Sequence, residues 1–216
     1  RTERRPFNAD LSMLAALRLA LGLLTALPVK VEQTDRNTVT GAMTLALWVG
    51  LGLGLAAGLV SWLAIDLWHS PLLAAVLAIA ALTVLTRALH LDGLADTVDG
   101  LGSARPAPEA LAIMRASDIG PFGVVAVVLL LLIQVSALAA VLASGAELSG
   151  LLVPAMTGRL AVTWACRRGV PAARPEGLGA LVAGSIGQFQ LIVATGATLL
   201  VATAVGLFGA ITLVPA

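Results

Sequence analysis

Three aspartates, Asp92, Asp96 and Asp99, stand four and three residues apart in the stretch Arg87-Ala-Leu-His-Leu-Asp-Gly-Leu-Ala-Asp-Thr-Val-Asp-Gly-Leu-Gly102. On an α-helix, at about 100° per residue, they point within an arc of about 60°. Leu91, Leu94, Val98 and Leu101 gather on the opposite side, and Gly93 and Gly100 share one flank. Like charges at this spacing destabilise a bare helix, and no Lys or Arg lies between residues 88 and 104 to relieve them. A divalent cation is the natural relief, because carboxylate oxygens are hard ligands suited to Mg²⁺, Mn²⁺ or Ca²⁺. Mg²⁺ typically takes few carboxylates and fills its shell with water and substrate phosphates. The pattern therefore points to metal-dependent phosphoryl transfer on a phosphate or diphosphate, with Asp92, Asp96 and Asp99 as metal-binding and catalytic residues. Gly93 and Gly100 would let such a substrate approach the backbone. A lone acidic residue on a helix is usually a solvated face. Three on one stripe at the end of an apolar run are harder to leave idle, since carboxylates near lipid are costly. A proton or cation pathway is the competing use.

Other residues join this picture with less force. His90 lies about 160° from Asp92 on a continuous helix, so it reaches the stripe only if the helix starts after it. His69 reads as a polar loop residue. Arg115 is a candidate phosphate clamp, and Asp118 stands level between a fourth carboxylate and an N-cap for the helix that Pro121 opens. Arg159 falls inside an apolar run, where an ionisable residue points to function or to an ion pair. Arg174, in Arg174-Pro-Glu-Gly-Leu-Gly179, is a third candidate for phosphate contact, and the part played by Glu176 is open. Cys166 is the single cysteine, which excludes an internal disulfide and reads as a buried thiol.

The elements that must position these residues are set by lipid. The 216 residues are 59% hydrophobic and 12% charged, with a mean hydropathy of +0.99. Half the usual charge cannot cover a water-soluble surface. A helix needs about 20 apolar residues to cross the hydrocarbon core. Five runs qualify: Met43–Ile65, Pro71–Leu89, Phe122–Ala143, Leu148–Cys166 and Leu191–Leu213. A sixth, Leu11–Leu27, is short, carries Arg18 and reads as interfacial or re-entrant. The expected fold is all-α: a polytopic membrane bundle of about five to six transmembrane or re-entrant helices, in one domain over residues 1–216. Gly50, Gly54 and Gly58 form a small-residue ridge for close helix packing.

Arginines and Lys30 concentrate before the first run, between the second and third, and between the fourth and fifth, while loops 66–70 and 144–147 carry none. The positive-inside rule then turns residues 1–38, the aspartate region 87–120 and the loop 167–190 to the cytoplasm, where they can converge on one site. A net charge of +1 and 4% aromatics leave no platform for nucleic acid.

His-Leu-Asp-Gly-Leu-Ala-Asp-Thr-Val-Asp-Gly at 90–100 resembles the signature of the cobalamin synthase, or adenosylcobinamide-GDP ribazoletransferase, family. Leu24–Val29, Ile113–Gly123 and Ala173–Gly179 are similar to further family blocks in the same order. The family's pattern departs at Ala26, where an arginine is common, and at Ala116-Ser117-Asp118, where Asp-Ser-Arg is common. It usually continues into a glycine-rich Thr-Gly-Asp block and another apolar segment. The chain is therefore expected either to be a fragment or to lack part of the usual site. The resemblance implies a Mg²⁺-dependent, multi-pass enzyme of the bacterial cytoplasmic membrane. It implies transfer of phosphocobinamide from adenosylcobinamide-GDP to α-ribazole or its 5′-phosphate, releasing GMP. A CDP-alcohol phosphotransferase and a cation- or proton-coupled transporter are the rival expectations, and a homo-oligomer is left open.

Overall fold

Apolar runs become helices throughout the described part of the chain, which in the computed structural model comprises residues 9–31, 34–116, 118–145 and 147–212. In order these are α1 (Ala9–Leu24), α2 (Arg36–Trp68), α3 (Pro71–Leu85), α4 (Leu89–Gly102), α5 (Ala107–Ile113), α6 (Pro121–Ala143), α7 (Glu147–Ala165), α8 (Leu178–Val182) and α9 (Gln188–Thr212). No strand forms among the described residues; a single bridge pairs Arg167 with Ile186. The expected all-α membrane bundle is what the chain adopts. α2, α6 and the Gln188–Leu207 part of α9 are each long and apolar enough to cross a membrane.

The second and fourth expected spans differ. The apolar run from Pro71 does not continue to Leu89: α3 stops at Leu85, and α4 leaves it at 86°. Arg87 and Ala88 both sit in the left-handed region, at φ 54°. Such a corner is unfavourable for residues with a Cβ. It is held by the Ala88 N–H donating to the Thr83 carbonyl at 2.8 Å and by the Thr86 hydroxyl donating to the Leu82 carbonyl at 2.8 Å. α3 and α4 together make a broken span or a re-entrant pair. α7 matches the fourth run but is interrupted by Pro154 and Arg159 and is not among the helices that pass as spans. One of its faces is buried in protein instead, through Leu151, Leu152, Met156 and Thr163.

Two compact units divide the chain, one from residues 1–56 and 148–216, the other Ala57–Glu147. In the first, Leu47 of α2, Met156 of α7 and Ala194 of α9 form a buried cluster, with Leu51, Leu160, Ala197 and Val201 packed on it. The glycine ridge explains how α2 and α7 come so close. A Cβ on Gly50 would lie 2.7 Å from the Ala155 carbonyl oxygen, and one on Gly54 3.0 Å from the Leu152 Cα. The ridge ends there, for a Cβ on Gly58 meets nothing within 4 Å. Cys166 is buried, as its apolar run suggested. In the second unit α6 packs on α3 and α4, and α5 packs on α4.

α2 begins seven residues earlier than the apolar run that announced it, because Asp35 caps it. The Thr38 hydroxyl donates to Asp35 Oδ2 at 2.7 Å, and the Asn37 and Thr38 N–H groups donate to Oδ1 at 3.0 and 3.2 Å. These bonds, the Thr38 hydroxyl first and its N–H next, hold the Asp35 carboxyl below its ordinary pKa. A depressed folded-state pKa stabilises above the unfolded value and is lost as pH falls through the folded one. Asp35→Ala should therefore cost about 0.5–1 kcal/mol at pH 7, the lower end for a cap because the group is exposed. Thermal unfolding in detergent would show the gap between wild type and variant closing as pH drops below about 4.

Candidate active site

The aspartates do not share one environment. Asp99 is 9% exposed, Asp96 half-buried and Asp92 exposed. Asp99 is turned onto the start of α6: the Gly120 N–H donates to its Oδ2 at 2.7 Å and the Gly123 N–H to its Oδ1 at 2.8 Å. α6 opens with Pro121 and has no side-chain cap of its own. A carboxylate from a neighbouring helix therefore satisfies its orphan N–H groups and meets the positive end of its dipole. Of the two readings open for Asp118, the N-cap is not what forms: Asp118 is exposed in the bend before Gly120, and Asp99 takes the capping bonds.

Two glycines make this contact feasible. A Cβ on Gly120 or on Gly123 would run into the Asp99 carboxylate. The Gly123 position also lies 3.0 Å from the Ala95 carbonyl oxygen and 3.1 Å from its Cα, so α4 and α6 touch backbone to backbone. The glycines of the aspartate helix part company in the same way. Gly93 is open, with nothing within 4 Å of a Cβ, whereas Gly100 is buried beneath Met114, whose Cγ is 2.6 Å from the Cβ position. Gly100 is thus a packing glycine rather than a place for substrate to approach, because the turn after α5 covers that end of the flank.

α4 starts at Leu89, so His90 lies inside its first turn and not on the aspartate stripe. Asp92 falls in that same turn, where the helix dipole favours a negative charge. Thr97 donates back to the Gly93 carbonyl at 2.6 Å. Arg115 is exposed in the turn following α5, in the same unit as α4, and Arg87 is exposed at the corner between α3 and α4. Among the described residues no three His, Cys, Asp or Glu side chains gather closely enough to hold a metal ion. Asp92, Asp96 and Asp99 are therefore not a ready-made cage.

The other candidate arginines, Arg159 and Arg174, belong to the other unit, as does Arg36. Arg159 is 8% exposed on α7, its Cγ at 2.9 Å from a Cβ position on Gly50, and its Nε has no hydrogen-bond partner among the described residues. Arg174 is half-buried in the bends before α8, where Gly177 takes φ 91°. Arg36, which sequence reasoning passed over, donates from Nη2 to the Gly184 carbonyl at 2.5 Å and from Nη1 to Ala183 at 3.3 Å.

Comparison with known proteins gives a consistent answer. Residues 16–216 match the family described as Cobalamin-5-phosphate synthase. A protein of Frankia casuarinae named adenosylcobinamide-GDP ribazoletransferase is 45% identical over 183 residues, covering 81% of this chain and 66% of that protein. Proteins of the same name from a Nocardioides species and from Bradyrhizobium diazoefficiens are 43% and 38% identical. They align with 79% and 90% of the chain, and with 74% and 75% of their own lengths. The chain thus spans just under two thirds of the Frankia relative and about three quarters of the other two. No solved structure matches.

Proposed function

The chain belongs to the cobalamin-5-phosphate synthase family, and from that premise we propose that it joins adenosylcobinamide-GDP to α-ribazole or its 5′-phosphate, releasing GMP. One observation carries the placement of the reaction. Asp99 pins α4 to the start of α6, which leaves Asp96, Asp92 and the bare backbone at Gly93 on accessible parts of the same helix.

The donor set suits Mg²⁺ in its usual mode. Asp92 and Asp96 are hard oxygen ligands four residues apart, with no cation on their own helix, and few protein carboxylates suffice when substrate phosphates and waters complete the shell. Asp99 keeps one lone pair on each oxygen beyond its two N–H bonds and stands behind them as a third carboxylate. Held there, Mg²⁺ would neutralise the phosphoryl oxygens and the departing phosphate.

The chain's own groups orient and take the proton. Gly93 admits the diphosphate beside the α4 backbone, and Arg115 supplies a cation from the turn after α5. A ribose hydroxyl of α-ribazole attacks the phosphorus on the cobinamide side. The new P–O bond forms as the bond to the GMP phosphate oxygen breaks, and GMP leaves. Both Asp99 oxygens already accept N–H bonds, so the hydroxyl proton goes to Asp96. The polar substrates place the site at the cytoplasmic face of the bacterial inner membrane, the side that the positive-inside rule gives to region 87–120.

The test is turnover by the purified protein in detergent, with cobalamin product and GMP followed by mass spectrometry. Product is expected with Mg²⁺ and not after chelation. Cation flux across a vesicle without nucleotide turnover would overturn the reading and favour a transporter, for which the bent α3–α4 pair is the one structural argument.

A further inference from the structure

A groove of about 780 Å³ lies in the first unit, between the C-terminal end of α7 and the first half of α9. Arg167, Arg168 and Gln188 line it where the chain leaves α7 and enters α9, and Trp164, Ile192 and Leu199 line it along the two helices. The end carrying the arginines is tied together by main-chain bonds. The Arg168 N–H donates to the Ile186 carbonyl at 2.9 Å, and the Ile186 N–H to the Cys166 carbonyl at 3.0 Å, which ties the segment after α7 to the one before α9. Across the groove the Trp164 indole N–H donates to the Thr195 hydroxyl at 3.1 Å. Neither arginine is in an ion pair among the described residues, where the pair formed is Arg105 with Glu109; Arg167 Nη1 donates to the Trp164 carbonyl at 3.3 Å, which leaves its other N–H groups for a ligand.

We infer that this groove holds an anionic phospholipid of the cytoplasmic leaflet, its phosphate at Arg167 and Arg168 and an acyl chain along α9. Three features select that occupant. The two guanidinium groups call for a phosphate, which arginine binds well through its fork of donors. Below them the lining turns apolar, with Ile192 64% and Leu199 61% exposed, a surface that a free phosphate or nucleotide would leave wet. The distance also fits. Gln188 and Leu199 are eleven residues apart on one helix, about 16 Å at about 1.5 Å per residue. That is close to half the roughly 30 Å hydrocarbon core, the depth of one leaflet. Trp164 then stands near the headgroup level, where tryptophan is favoured. Loop 167–190 is on the cytoplasmic side by its positive charge, so the lipid comes from that leaflet.

The inference is independent of the reaction proposed above, and its test does not use activity. Protein in a neutral detergent is given phosphatidylglycerol or phosphatidylcholine of equal chain length, and retained lipid is counted by native mass spectrometry. Phosphatidylglycerol should be retained preferentially. Arg167→Gln with Arg168→Gln should weaken it about 30-fold, from roughly a tenfold or smaller loss for each cation near the surface. Gly196→Leu is the second variant: a Cβ there meets nothing within 4 Å, so leucine fills the groove without displacing its neighbours. It should remove both lipids equally while the arginine variant removes only the selectivity. Equal retention of the two lipids by the wild type overturns the inference, as does phosphatidylglycerol binding that survives both variants. Displacement of the lipid by glycerophosphate alone also overturns it, since the site would then be one for a free phosphate.

Discussion

Asp96→Asn is expected to lower Mg²⁺-dependent turnover by roughly 10²–10⁴-fold, the range for removing a positioned acid–base group. It should leave the thermal unfolding midpoint near that of the wild type. The reason is the division of labour along α4. Asp96 is half-buried, and among the described residues no hydrogen bond ties its carboxylate to the fold, whereas Asp99 holds two backbone N–H groups. Asparagine keeps the shape of Asp96 but loses the charge, and with it both the proposed proton acceptor and one proposed metal ligand. Asp92→Asn separates these losses. Asp92 is exposed at the first turn and carries no proposed proton transfer, so its loss should raise the Mg²⁺ concentration for half-maximal rate more than it lowers the rate at saturating Mg²⁺. Equal turnover by wild type and Asp96→Asn would sink the assignment of this helix. A parallel fall in unfolding temperature would instead make Asp96 a structural residue.

The long apolar runs made α2, α6 and α9 legible, because a membrane span depends on composition more than on partners. The corner at Arg87–Ala88 was hidden for the opposite reason. Leucines stand on both sides of it, neither corner residue is glycine, and the left-handed turn is held by bonds back to Thr83 and Leu82. The stripe of Asp92, Asp96 and Asp99 was correct as helix geometry, but a wheel cannot say which edge meets another helix. Asp99 is on the edge that meets α6, and the absence of any capping side chain at Gly120-Pro121 was the available signal. Gly93 and Gly100 looked equivalent because they are seven residues apart; Met114 covers one and not the other. Gly50 and Gly54 were readable as a packing ridge, since small residues at that period have few other uses in a membrane helix.

Gly123→Ala should cost about 1–3 kcal/mol, the range for forcing a methyl group into a filled site. The unfolding midpoint should fall by about 2–4 °C per kcal/mol for a chain of this size. Its Cβ meets the Asp99 carboxylate on one side and the Ala95 backbone on the other. The carboxylate can move only by giving up its bonds to α6, and the backbone cannot move without shifting α4. Gly120→Ala distinguishes these two obstacles. All three atoms nearest its Cβ position belong to Asp99, and its φ of −85° suits any residue. Asp99→Ala alone should be destabilising as well, because it orphans the N–H groups at the start of α6, at about 1–3 kcal/mol for each buried group left unpaired. Adding Gly120→Ala to Asp99→Ala should then cost almost nothing more, while adding Gly123→Ala should retain a residual cost from Ala95. A double-mutant cycle reads this as strong coupling for the first pair and partial coupling for the second. Simple additivity in both would mean that the glycines are small for some reason other than the aspartate. Turnover should fall in step with the loss of the α4–α6 contact, since the same two N–H bonds that cap α6 hold Asp92 and Asp96 in place.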